Sequence, residues 1–136
     1  MYYASSFFCG KLADMNIYQQ ELMDHYRSPH NYGLLEPADF LSHEHNPSCG
    51  DLITVSGKFD EQGRLAAVGF EGTGCVISIA TASLLFAWCL GKTGEELNKI
   101  DRTTIIGLIG IELGPTRLKC ALLPVEALRQ GLLSCK

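Results

Sequence analysis

Six cysteines are spread through 136 residues, and three of them stand where a thiol can do chemistry. Cys49 lies in Asn46-Pro47-Ser48-Cys49-Gly50-Asp51, between a proline turn and an apolar run. The glycine beside it lets the backbone fold tightly and keeps the sulfur accessible. Asp51 follows two residues on, and in an extended strand positions i and i+2 share a face. Thiolate and carboxylate can therefore address one metal ion. A Gly-Asp turn with an uninvolved cysteine fits the same residues equally well. Cys75 closes Gly72-Thr73-Gly74-Cys75 at the start of an apolar helix. Unpaired N–H groups and the positive end of the helix dipole stabilise a thiolate there. A packing cysteine is the alternative, but it would not need a Gly-x-Gly approach. Cys120 sits in Arg117-Leu118-Lys119-Cys120, where two bases favour the thiolate. Pro124 cannot donate to the Cys120 carbonyl, so the regular helix is expected to start after Cys120 or to kink beside it. A surface cysteine among solvated charges explains that tetrapeptide as well.

The other three cysteines read as bystanders. Cys89 ends the apolar helix, about 21 Å from Cys75 along the axis, and Cys9 and Cys135 lie in segments expected to fray. His25, His30, His43 and His45 show no ligand spacing with one another; the last two could reach a metal from the loop before Cys49, but read more readily as solvated loop residues. The sequence has no C-x-x-C, no phosphate loop and no Gly-x-Ser-x-Gly. Cys49, Asp51, Cys75 and Cys120 become one constellation only if the fold brings three loops together.

The elements that must do so are partly visible. A helix is expected over Ile17–Arg27, with Tyr18, Leu22 and Tyr26 as its apolar stripe, ended by Pro29 and Gly33. A turn-rich stretch leads to Asn46-Pro47. Residues 52–59 alternate apolar and polar, and Asp60-Glu61-Gln62-Gly63 turns them back into Leu65–Phe70 as an antiparallel hairpin. A buried helix runs from Val76 to Leu90. Thr93-Gly94-Glu95-Glu96 is a capping box opening a short helix to about Ile100. Asp101 caps another over Arg102–Ile109, a loop spans Gly110–Thr116, and a last helix carries Val125, Leu128 and Leu132. The order makes an α+β domain with helices on an antiparallel sheet.

Composition bounds the function. The length fits one domain, with residues 1–14 an extension expected to be poorly ordered and 15–136 the domain. Fifteen acids against eleven bases give a net charge of −4, which argues against a nucleic-acid binder. The 15 residues from Val76 to Leu90 fall short of the roughly 20 that a membrane span needs. No basic n-region precedes an apolar stretch at the N-terminus, so a reducing, cytoplasmic setting with free thiols is expected.

Four segments, in order, resemble the U-type iron–sulfur scaffold family (IscU, SufU and the N-terminal domain of NifU). They are Tyr18 and Leu22-Met23-Asp24-His25-Tyr26 with Pro29, Asn31 and Gly33; Asn46 to Asp51; Phe70-Glu71-Gly72-Thr73-Gly74-Cys75-Val76-Ile77-Ser78; and Arg117-Leu118-Lys119-Cys120-Ala121. The resemblance implies a three-stranded antiparallel sheet with helices packed against it, and Cys49, Asp51, Cys75 and Cys120 converging at one exposed end. It implies a scaffold that binds iron, accepts sulfur as persulfide from a cysteine desulfurase, and holds a transient [2Fe–2S] cluster for apo acceptor proteins. The other function it implies is a zinc-dependent, SufU-like sulfurtransferase that binds Zn2+ and activates the desulfurase. Two features separate the subtypes. Lys119 stands where IscU proteins have His, as in SufU, while only 45 positions separate Cys75 from Cys120, close to the IscU spacing. The IscU chaperone motif is degraded to Leu113-Gly114-Pro115-Thr116-Arg117, which argues against a dedicated chaperone. Cys120, with its flanking bases, is expected to take persulfide first and Cys49 second; the likeness to SufU favours Cys49. A monomer and a homodimer both fit the sequence.

Overall fold

A hairpin stands at the centre of the molecule. Strands β2 (Asp51–Phe59) and β3 (Leu65–Thr73) pair antiparallel, Val55 opposite Phe70 and Leu52 opposite Thr73. Ile53, Val55 and Phe70 are fully enclosed, while Leu52 and Lys58 on the alternate positions are exposed, so the alternation in sequence is an alternation in burial. The computed structural model describes residues 17–47 and 50–134. The expectations for residues 1–14, Cys9, Cys49 and Cys135, and for the Tyr18 side chain, lie outside the described residues.

A third strand, β1 (Phe40–Asn46), pairs antiparallel with β2 and completes a sheet of order β1-β2-β3. The three-stranded α+β architecture is as expected, but β1 occupies the stretch read as turn-rich. Its inward positions are Phe40, Ser42, Glu44 and Asn46, and only the first is apolar, so hydrophobic alternation does not mark it. Ser42 Oγ instead donates to the carbonyl of Ala127 across the interface.

The helices are α1 (Ile17–Arg27), α2 (Val76–Cys89), α3 (Gly94–Leu97), α4 (Arg102–Ile109) and α5 (Pro115–Ser134). α2 is the hub, packed against α1, β3, α4 and α5. Its Phe86 ring lies 5.4 Å from that of Phe70, within the favoured range for aromatic pairs. No helix among the described residues is long and apolar enough to cross a membrane. The stripe expected on α1 is rotated: Leu22 is buried, Tyr26 is 39% exposed, and His25 turns inward instead. The buried Ser83 hydroxyl on α2 requires partners. It accepts from the His30 N–H at 2.7 Å and lies 2.6 Å from His25 Nδ1.

The capping box at Thr93 and Glu96 is present, although α3 ends at Leu97, and Asp101 caps α4 through the Thr104 N–H. α5 departs most from expectation, because it starts at Pro115 inside the expected loop and continues through Pro124. Pro115 occupies the first turn, where its missing N–H would have had no intrahelical partner. The Phe40 ring sits between Gly57 of β2 and Gly131 of α5; a Cβ at either position would lie 2.5 Å from it. Those two absent side chains draw β1, β2 and α5 around one aromatic ring and fix the height of α5 on the sheet.

Candidate metal and sulfur site

Antiparallel pairing brings the end of β3 back to the start of β2. Asp51 opens β2 opposite Asn46, on the inward face with Ile53 and Val55, and is 1% exposed. Gly74 follows β3 and crosses this carboxylate: a Cβ there would lie 2.6 Å from Asp51 Oδ1 and 2.7 Å from Ser78 Oγ. Glycine leaves room for the acid. The next residue, Cys75, is the N-cap of α2 and is exposed. Its backbone N–H donates to Asp51 Oδ1 at 3.2 Å, and its thiol donates to Asp51 Oδ2 at 3.6 Å. Ser78, fully buried in the first turn, donates its N–H to Cys75 Sγ at 3.5 Å and its hydroxyl to the Cys75 carbonyl at 3.2 Å. The Cys75-x-x-Ser78 spacing is that of a helix N-cap and its third residue, a signal that the sequence itself carries.

Cys120 arrives from α5. It is 4% exposed, whereas Arg117 and Lys119 are exposed. The thiol is therefore neither at a helix N-terminus nor among solvated charges, contrary to both readings of its tetrapeptide. A continuous helix turns successive side chains to different faces, and the packed face of α5 takes Cys120 together with Ala121. Lys119 lines a cavity of about 300 Å³ with Glu44, Asn46, Pro47 and Glu126, between the end of β1 and α5.

One ligand atom from each of Asp51, Cys75 and Cys120 lies within 4.8 Å of the others. Thiolates held about 2.3 Å from one zinc ion would be roughly 3.8 Å apart, so closing on an ion takes about 1 Å of movement. Two soft sulfurs with one harder oxygen suit zinc and iron–sulfur chemistry. Cys49, the fourth expected ligand, lies outside the described residues. Cys89, at the end of α2, is fully buried, and burial pushes its thiol up to about 12 against the opposing charge of Lys92. His43 and His45 stand on β1 rather than in a loop and take no part in this cluster.

Residues 17–136 match the family described as NifU-like N terminal domain. The chain is 34% identical over 116 residues to the iron-sulfur cluster assembly scaffold protein IscU 1 of Archaeoglobus fulgidus, covering 85% of this chain and 74% of that one. It is 35% identical over 133 residues to the zinc-dependent sulfurtransferase SufU of Bacillus subtilis, covering 85% and 89%. Among solved structures, the SufU protein of Fervidobacterium islandicum superposes with a TM-score of 0.71 at 29% identity, covering 83% of this chain and 94% of that one. The span of the family match and these identities lead to one conclusion: the chain belongs to the NifU-like N-terminal domain family.

Proposed function

We propose that this protein is an iron–sulfur cluster assembly scaffold. It binds iron, takes sulfur from a cysteine desulfurase, holds a transient [2Fe–2S] cluster on Cys49, Asp51, Cys75 and Cys120, and passes it to apo acceptor proteins. The observation that carries this reading is the meeting of Asp51, Cys75 and Cys120 within 4.8 Å, with Cys75 exposed and the other two buried beneath it rather than all at an exposed end. Thiolate sulfur gives the cargo affinity, and a carboxylate oxygen is the ligand most readily exchanged. Free thiols also need a reducing compartment, which is why we place the protein in the cytoplasm.

Cys120 and Cys49 are the proposed persulfide acceptors. An acceptor thiolate attacks the outer sulfur of the desulfurase persulfide; the donor S–S bond breaks and the desulfurase cysteine leaves as thiolate. Later reduction of the transferred sulfur to sulfide draws on an external electron donor. With Cys120 at 4% exposure, attack from it requires its neighbours to move, which shifts the balance toward Cys49 as first acceptor.

A zinc-dependent sulfurtransferase is the second reading, favoured by Lys119 and by the Bacillus subtilis relative. The same residues would then hold Zn2+, with the thiols shielded until one ligand is displaced. Anaerobic incubation with Fe2+, cysteine and a desulfurase, followed by visible absorption, separates the two. The scaffold reading expects [2Fe–2S] bands bound to this chain. No cluster, with desulfurase turnover rising, would replace it by the second.

A further inference from the structure

On the face of the sheet opposite Ser42 and Glu44, β1 carries two histidines one residue apart, His45 also bordering the cavity that Lys119 and Glu126 of α5 line. His43 pairs with Thr54 and His45 with Leu52, and both imidazoles are exposed. The intervening Glu44 and the preceding Ser42 point to the helix side, where Ser42 reaches Ala127 of α5. Strand geometry therefore holds both rings on one face with their Cα atoms about 6.6 Å apart. Imidazole side chains can close that span on one ion at about 2.0–2.1 Å from each nitrogen. Every residue of β1 is in register with β2, so much of the ordering cost is met by the fold itself. The cross-strand neighbours are uncharged, and exposed Glu71, opposite Thr54 on β3, adds an acid to the same face. Asp51 is paired with Asn46 and faces the other way, so these rings do not belong to the thiol cluster.

We propose that His43 and His45 form a second metal site, a two-imidazole chelate for a divalent transition ion, on the face of the sheet opposite the thiols. Imidazole nitrogen suits Ni2+, Cu2+, Zn2+ and Fe2+, whereas the thiolate pair selects softer chemistry. Two protein ligands leave the remaining positions to water, so the ion is held exchangeably. The proposal does not rest on the scaffold reading.

The test uses the full-length chain, 15N-labelled and given one equivalent of Zn2+ to occupy the thiol site, with Ni2+ then titrated in. Imidazole 1H–15N correlations report each ring separately. The expected result is that the His43 and His45 signals broaden away together, at Ni2+ levels that leave His25 and His30 visible. Either His43→Gln or His45→Gln alone should raise the Ni2+ requirement of the remaining ring by roughly 10- to 100-fold, because a chelate makes the second bond intramolecular. Both positions are exposed, so the rest of the spectrum should be unchanged. Rings that respond at different Ni2+ levels, or single variants that shift the requirement by only about twofold, would show independent imidazoles and overturn the proposal.

Discussion

Replacing Gly74 by alanine places a methyl group where the Asp51 carboxylate now sits. The new Cβ would lie 2.6 Å from Oδ1 and 2.8 Å from Cγ of Asp51, and 2.7 Å from Ser78 Oγ. An ordinary contact needs nearly 1 Å more. Asp51 is 1% exposed and is bonded by the Cys75 N–H, so its carboxylate cannot withdraw without breaking that bond. Overpacking alone costs about 1–3 kcal/mol, and a hydrogen bond to a charged group contributes about 1.5–3 kcal/mol. One displacement causes both losses, so they overlap, and about 2–4 kcal/mol in total is reasonable. For a chain of this length that corresponds to a fall in Tm of roughly 7–14 °C. Thermal unfolding by circular dichroism in reductant and chelator measures it, and competition with a zinc indicator reads the effect on the site. Gly114→Ala is the control, because nothing lies within 4 Å of its added Cβ. A Gly74→Ala protein melting within about 2 °C of the parent with undiminished zinc affinity would refute the packing described for Asp51.

Three further outcomes follow from the structure. Gly107 lies inside α4 with open space around an added Cβ, so Gly107→Ala should stabilise by about 0.5–1 kcal/mol in urea unfolding; a loss of stability would contradict the placement of α4. Burial, followed by the charge of His30 and opposed by Asp24, holds His25 below its usual 6.5. The folded state then binds fewer protons than the unfolded chain as pH falls below about 6.5, so stability declines until the lower folded value is passed. His25→Gln should flatten the stability profile between pH 7 and 5, and an unchanged slope would remove His25 as the cause. At pH 8, iodoacetamide should label exposed Cys75 and spare Cys89, whose thiol stands near 12; peptide mass spectrometry that finds Cys89 labelled in the folded protein would be inconsistent with its burial.

Local rules carried the hairpin and the caps, because Ile53, Val55, Thr93, Glu96 and Asp101 act on neighbours within a few residues. β1 escaped them because it is specified by its partner. Its inward Ser42, Glu44 and Asn46 have no apolar signature, and β2 supplies the hydrogen bonds that make it a strand. In sequence Pro124 reads as a break near Cys120, whereas tertiary packing of α5 on β1 and β2 carries the helix through it. Each candidate ligand is legible by residue type, whereas only the family resemblance, and no local spacing, implied the convergence of Asp51, Cys75 and Cys120. It arises from the antiparallel return that sets Gly74 and Cys75 over Asp51 and from the height at which Phe40, Gly57 and Gly131 seat α5. The placing of Cys120 inside that packing came from the same three residues, which no spacing around Cys120 could reveal.

Cluster handover tests the central claim most directly. The chain is loaded anaerobically with a [2Fe–2S] cluster, freed of excess iron and sulfide, and mixed with an apo-ferredoxin in the presence of an iron chelator. Circular dichroism in the visible range distinguishes donor from acceptor. A scaffold built on Cys49, Asp51, Cys75 and Cys120 should give up its signal as the ferredoxin signal grows, with little iron reaching the chelator. Asp51→Ala, lacking the most exchangeable ligand, should still load but transfer more slowly. If the ferredoxin stays apo while all the iron appears in the chelator, the protein does not hand on clusters, and the scaffold function is wrong.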